Sequence, residues 1–189
     1  HPDLARFGVD TAPIMPRAII PTPSPKGDIA PPRFQPGDLI YEINVRGFTM
    51  VHPDVPEALR GTIAALAHPS VIAHLKTLHV GAVELMPIVA WIDERHLPPL
   101  GLSNAWGYNP VAMMALDPGL CPGGVEELRD TVAALHAEGI GVILDWVPSH
   151  FPGDDHGLRN FDGTCLYEHP DPKKGYHPDW KSYVFDYGR

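Results

Sequence analysis

From Asp38 onward, apolar and polar positions alternate between two periods. Leu39-Ile40-Tyr41-Glu42-Ile43-Asn44-Val45 is a short run rich in branched and aromatic residues, and it predicts a strand over 39–45. Ser70 to Leu78 carries Val71, Leu75 and Leu78 at helical spacing and predicts a helix with Ser70 as N-cap. His79 to Met86 predicts a second strand, stopped by Pro87. Gly124 to Glu138 places Val125, Leu128, Val132 and Leu135 on one face of a second helix, which closes at Gly139. Ile140 to Leu144 is a continuous apolar run that predicts a strand buried on both faces, and it ends abruptly at Asp145. This β-α-β-α-β order predicts an α/β protein with a parallel sheet and right-handed crossovers. After Trp146 the period is lost, and residues 151–189 predict an irregular insertion or small subdomain.

Proline interrupts the opening of the chain. Pro21, Pro23, Pro25, Pro31, Pro32 and Pro36 remove donors and fix φ, so residues 1–37 predict an extended lead-in or linker. The expected organisation is this lead-in, a core over 38–150 and the insertion over 151–189. A length of 189 residues suffices for one sizeable core, and the start at His1 suggests part of a longer protein. The net charge of −9 argues against nucleic acid and anionic membranes as partners, while a neutral substrate remains compatible. Cys121 and Cys165 are too few for a disulfide framework or a zinc site. With no leader and no apolar run of membrane-spanning length, the expected location is the cytoplasm.

Candidate chemistry gathers where the third strand ends. In α/β proteins ligands bind at the C-terminal ends of parallel strands. Asp145, with His150 in the following loop, therefore marks either an active-site rim or a turn-capping carboxylate beside a surface imidazole. Asn104-Ala105-Trp106-Gly107-Tyr108-Asn109 lies after the second strand. Its two rings are suited to stacking on sugars, or else they anchor the loop to the core. The stretch from His150 through Asp154, Asp155 and His156 matches no standard zinc or calcium spacing and reads as a solvated loop. Gly139 and Gly141 precede their strand, so they form no dinucleotide fingerprint. Glu42 and Glu84 either point into a barrel interior or, as the simpler reading, occupy helix-facing packing positions or make structural hydrogen bonds. No cofactor or metal is implied.

Asp145-Trp-Val-Pro-Ser-His150 resembles the first signature region, Asp-x-x-x-x-His, of the α-amylase superfamily (glycoside hydrolase family 13). Several segments resemble glycogen-debranching and isoamylase-type enzymes over residues 1–145. They are Tyr41-Glu-Ile-Asn-Val-Arg46-Gly-Phe-Thr49, His52-Pro-Asp-Val-Pro-Glu-Ala-Leu-Arg60, Val83-Glu-Leu-Met-Pro87 and Trp106-Gly-Tyr-Asn109. Residues 145–189 are instead similar to glycogen-branching enzymes, through Phe161-Asp-Gly-Thr164, Leu166-Tyr-Glu-His169 and Phe185-Asp-Tyr-Gly-Arg189.

The resemblance implies a (β/α)8 TIM barrel acting on an α-glucan such as glycogen or branched maltodextrin, of which this chain holds about three strands. It also implies substrate-binding roles for Tyr108, His150 and Trp106, with Asp145 and Asn109 supporting the site. The nucleophile and the general acid that such enzymes need would follow later strands, so the isolated chain is expected to be catalytically incomplete and to require the C-terminal part of the barrel. The expected parent activity is hydrolysis of α-1,6 linkages. A branching glucanotransferase and a non-catalytic glucan-binding or structural fragment are the alternatives. Three strands alone leave an open sheet edge, which predicts weak stability.

Overall fold

The structure is a computed structural model that describes residue 20 and residues 35–154 and 157–189. In chain order it contains β1 (Leu39–Ile43), α1 (Val45–Thr49), α2 (Pro69–Thr77), β2 (Val80–Leu85), β3 (Val89–Trp91) and β4 (Pro110–Leu116). These are followed by α3 (Gly124–Ala137), β5 (Gly141–Leu144), β6 (His150–Phe151), α4 (Pro172–Gly175), β7 (Tyr176–His177) and β8 (Ser182–Val184). Short 3-10 turns lie at Glu57–Leu59, Ile63–Ala67 and Pro98–Leu100. The proline-rich lead-in expected over 1–37 lies almost entirely outside the described residues.

The chain is mixed α/β. The three apolar runs pair in parallel in the order β1-β2-β5, with α2 and α3 in the connections. In register, Ile43 sits beside Leu85, and Val83 beside Val142. Ile43, Val83 and Leu85 are fully buried in a cluster with Val71 and Leu75 of α2, Leu135 of α3, and Ile63 and Leu66 of the second 3-10 turn. Each such side chain contributes roughly 1.5–3 kcal/mol on leaving water.

Local chemistry moves several of the predicted boundaries. The first strand stops at Ile43 rather than Val45, because the Asn44 side chain accepts a hydrogen bond from Gly47 N–H (2.8 Å) and caps α1, a helix the sequence pattern did not predict. Helix α2 is capped by His68, not Ser70. The Nδ1 of His68 accepts from Ser70 N–H at 3.3 Å, and Pro69 occupies the first turn, where its missing donor costs nothing. Leu78 and Val125, expected on buried helix faces, are exposed. Gly139 does end α3, with φ of 80° and its N–H on His136 carbonyl (3.0 Å).

Two features escaped the periodicity. Between β2 and α3 an antiparallel ribbon, β3–β4, projects from the sheet with irregular register, and its loop carries residues 92–109. The segment expected to be irregular holds a small antiparallel sheet in the order β6-β8-β7. Its centre is Phe151, fully buried against the rings of Phe185 (4.6 Å between centroids) and Tyr183 (5.9 Å). Strands of two or three residues are too short to display a two-residue period, which is why the pattern missed them.

Glu42 and Glu84 do not occupy the helix-facing packing positions that the simpler reading offered. They are neighbours in the β1–β2 register, and Glu42 is exposed rather than packed beneath a helix. Both lie on the sheet face opposite the one that carries Ile43 and Leu85, since alternate strand residues point to opposite faces.

Candidate functional site

The site begins with a loop that has little freedom. Asn104 Oδ1 accepts from the backbone N–H groups of Trp106 and Gly107, both at 2.9 Å. Asn104 N–H donates to Asp93 (2.6 Å), its side-chain amide donates to Glu94 (3.0 Å), and its carbonyl accepts from the Trp91 indole N–H (3.2 Å). One asparagine thus ties the loop to itself and to the β3–β4 ribbon. Gly107 has φ of 81°, and a Cβ there would lie 2.8 Å from the Pro87 carbonyl oxygen, so the turn needs glycine on two counts. The outcome is that Trp106 faces solvent, 67% exposed, and Tyr108 turns toward the end of β5. Asn109 spends its amide on the Ile92 carbonyl (3.2 Å), a bond that holds the loop to the ribbon.

Tyr108 meets Asp145. The phenol O–H donates to Asp145 Oδ2 at 2.6 Å, joining the loop after the second parallel strand to the tip of the third. Asp145 in turn donates its backbone N–H to the Leu85 carbonyl (3.0 Å), which continues the parallel ladder to its last residue. The bond to Asp145 pushes the Tyr108 pKa up to about 12, with burial and the carboxylates of Asp145, Glu42 and Glu84 adding to it. A phenolate here would face three negative groups, so Tyr108 stays a donor across the physiological range.

His150 opens β6 and meets the ring of Trp180 edge-on (5.4 Å, 61° between planes). Its Nδ1 is buried with no hydrogen-bond partner among the described residues. Burial, and then the neighbouring His177, hold its pKa below 6.5, so the imidazole is neutral at pH 7. A neutral imidazole in a cleft can either donate or accept a hydrogen bond, and it places no charge on its surroundings.

Tyr108, Asn109 and His150 line one cavity of about 520 Å³, together with Trp180 and the Arg95–Asp154 ion pair (2.5 Å). Trp106 is not among the residues lining it. It lies with Tyr108, Glu42, Asn44 and Met86 on an adjoining cleft of about 510 Å³, so Tyr108 borders both spaces. Of the solvated stretch expected over 150–156, Asp155 and His156 lie outside the described residues, and Asp154 is bound by Arg95. Sequence reasoning gave no role of its own to Asn104, whose partners Trp91, Asp93 and Glu94 are brought to it by folding, and passed over Trp180, which lies 30 residues beyond His150. A tryptophan between the charged Asp179 and Lys181 in a polar segment is the signal that could have found the latter.

Comparison with known proteins places the chain near one group of enzymes. No family model matches it. The chain is 46% identical over 151 residues to a protein of Klebsiella pneumoniae (strain 342) named glycogen debranching enzyme, covering 75% of this chain and 23% of that protein. It is 54% identical over 117 residues to a protein of the same name from Yersinia pestis bv. Antiqua (strain Angola), covering 59% of this chain and 18% of that one. The chain therefore spans less than a quarter of the length of the curated relatives it matches. Among the described residues no helix is long and apolar enough to cross a membrane.

Proposed function

We propose that the chain is part of a cytoplasmic α-glucan enzyme of the α-amylase superfamily, with debranching of glycogen by hydrolysis of α-1,6 linkages as the parent activity. The observation that carries this reading is the 54% identity over 117 residues to a protein named glycogen debranching enzyme. The geometry agrees with it, since an aromatic donor, a carboxylate and a neutral imidazole cluster at the C-terminal ends of parallel strands, where barrel enzymes hold their substrates.

In this reading β1, β2 and β5 are the first three strands of a (β/α)8 barrel and residues 38–150 its N-terminal part. Residues 1–37 are the lead-in, and 151–189 an insertion after the third strand. Tyr108 stacks on a glucosyl ring, with its O–H held on Asp145. Neutral His150 hydrogen-bonds the same sugar, and Trp106 borders it from the adjoining cleft. Asp145 and Asn109 keep Tyr108 and its loop in place. The carboxylate pair of nucleophile and general acid belongs to later strands of the parent enzyme, so these 189 residues bind glucan without cleaving it. A branching glucanotransferase is the second reading, favoured by the resemblance of residues 145–189 to branching enzymes.

The deciding experiment is reducing-sugar release from glycogen by the purified chain beside a no-enzyme control. Release at the background rate is expected. Robust hydrolysis would mean that a working carboxylate pair lies within these residues, and the assignment of roles would fall.

A further inference from the structure

Trp180 stands out among the exposed apolar side chains because it is oriented without being buried. It is 63% exposed, yet its indole lies flat on the His177 ring, with centroids 4.3 Å apart and planes 14° from parallel. His150 meets it at 61°. The Trp180 backbone N–H donates to His177 Nδ1 at 3.3 Å, which fixes the imidazole that backs the indole. A lone exposed tryptophan needs no explanation. One stacked on His177 and met edge-on by His150, on the wall of the cavity that holds Tyr108, is a flat apolar surface set in advance.

The surroundings narrow what such a surface suits. The cavity walls carry both signs of charge, Glu94 and Asp154 against Arg95, Arg159 and Lys181. Arg95 is bound to Asp154, and the Arg159 guanidinium sits over the Tyr183 ring at 5.1 Å. Mixed and locally compensated charge gives no strong field toward an ion, while it offers many donors and acceptors. An apolar ring face bordered by such groups matches a neutral ligand with a C–H face and a hydroxyl edge. The volume, about 520 Å³, falls in the usual ~300–1,000 Å³ range of small-molecule sites.

We propose that Trp180 is the stacking platform for a second glucosyl ring of the glucan, adjacent to the ring held by Tyr108 and His150. This inference rests on the glucan reading of that cavity. His177 acts through Trp180 as a positioning residue: it covers the back of the indole and leaves the front to the sugar. The insertion over 151–189 thus supplies binding surface as well as a wall, and it extends recognition beyond one ring.

The test is to follow the four indole N–H resonances of the ¹⁵N-labelled full chain by NMR during titration with maltoheptaose. The Trp180 resonance is identified by its absence in Trp180→Phe. It is expected to shift with maltoheptaose. Trp180→Ala is expected to weaken binding about tenfold, and Trp180→Phe less, the size of one lost aromatic stack. If the backbone N–H of Gly107, next to Tyr108, shifts while the Trp180 indole does not, the platform is wrong and the glucan reading stands. If no resonance responds, both fall together. The wild-type titration decides between these outcomes even if Trp180→Ala does not fold.

Discussion

Removing one oxygen from Tyr108 tests the centre of the site. Tyr108→Phe keeps the ring and deletes the O–H that donates to Asp145 at 2.6 Å. A buried hydrogen bond to a charged partner is worth about 1.5–3 kcal/mol. The rise in pKa from 10.0 to about 12 has the same sign, with the Asp145 bond as its largest cause and burial and carboxylate repulsion of the phenolate adding to it. Tyr108 is only partly buried, so solvent screening reduces the expected loss to about 1 kcal/mol. With a urea m-value of about 2 kcal/mol/M, the unfolding midpoint should fall by about 0.5 M at pH 7.

The pH dependence carries a definite sign. Between pH 10 and about 12 the unfolded chain releases the Tyr108 proton and the folded chain keeps it. The stabilisation is therefore complete below pH 10 and lost as pH rises toward 12. Tyr108→Phe should remove that part of the alkaline slope, and Asp145→Asn should shrink it. The double variant should show a coupling of about 1 kcal/mol between the two positions. Strictly additive effects, within about 0.3 kcal/mol, would refute the claim that the two side chains act as one unit.

Two further outcomes follow from neighbouring features. Gly107→Ala should cost at least about 1–2 kcal/mol from its left-handed φ alone, with the 2.8 Å contact to the Pro87 carbonyl adding to it; a urea midpoint equal to wild type would show that the turn relaxes freely. His150 has its pKa below 6.5, so its contribution to stability is whole above pH 6.5 and is lost as pH falls through the lower folded value. His150→Asn should flatten the acid side of the stability profile, and an unchanged profile would count against a desolvated imidazole.

The parts of this protein that were legible in sequence are those with a period long enough to repeat. Residues of α2 and α3, and the runs in β1, β2 and β5, each contain several apolar positions that must share a face, so chain order and hydrophobic pattern fixed a parallel α/β sheet. Capping was less legible. Asn44 and His68 cap their helices, although a different residue, Ser70, matched the expected composition for α2. A cap is chosen by local backbone angle and by which side chain reaches the free N–H groups, and neighbours settle that as much as residue type. The ribbon β3–β4 and the strands of the small sheet were hidden because their pairing is antiparallel, bulged or only two residues long.

By itself, the sequence determined that Asp145 ends an apolar run and that Tyr108 lies in a loop beyond a strand, because a strand's end is a local property of composition, whereas His150, expected in a loop, opens β6. Only the tertiary structure decided that Tyr108 bonds Asp145 across 37 residues, that Trp106 lies on a different cleft from His150, and that Trp180 shares a wall with both Tyr108 and His150. Those relations depend on the parallel register that sets β2 beside β5, and on the small sheet that returns β8 against β6. Register is a contest among all the pairings a chain can make, and burial of the shared core face resolves it. No single segment carries that information, so the site appears only when the core has closed.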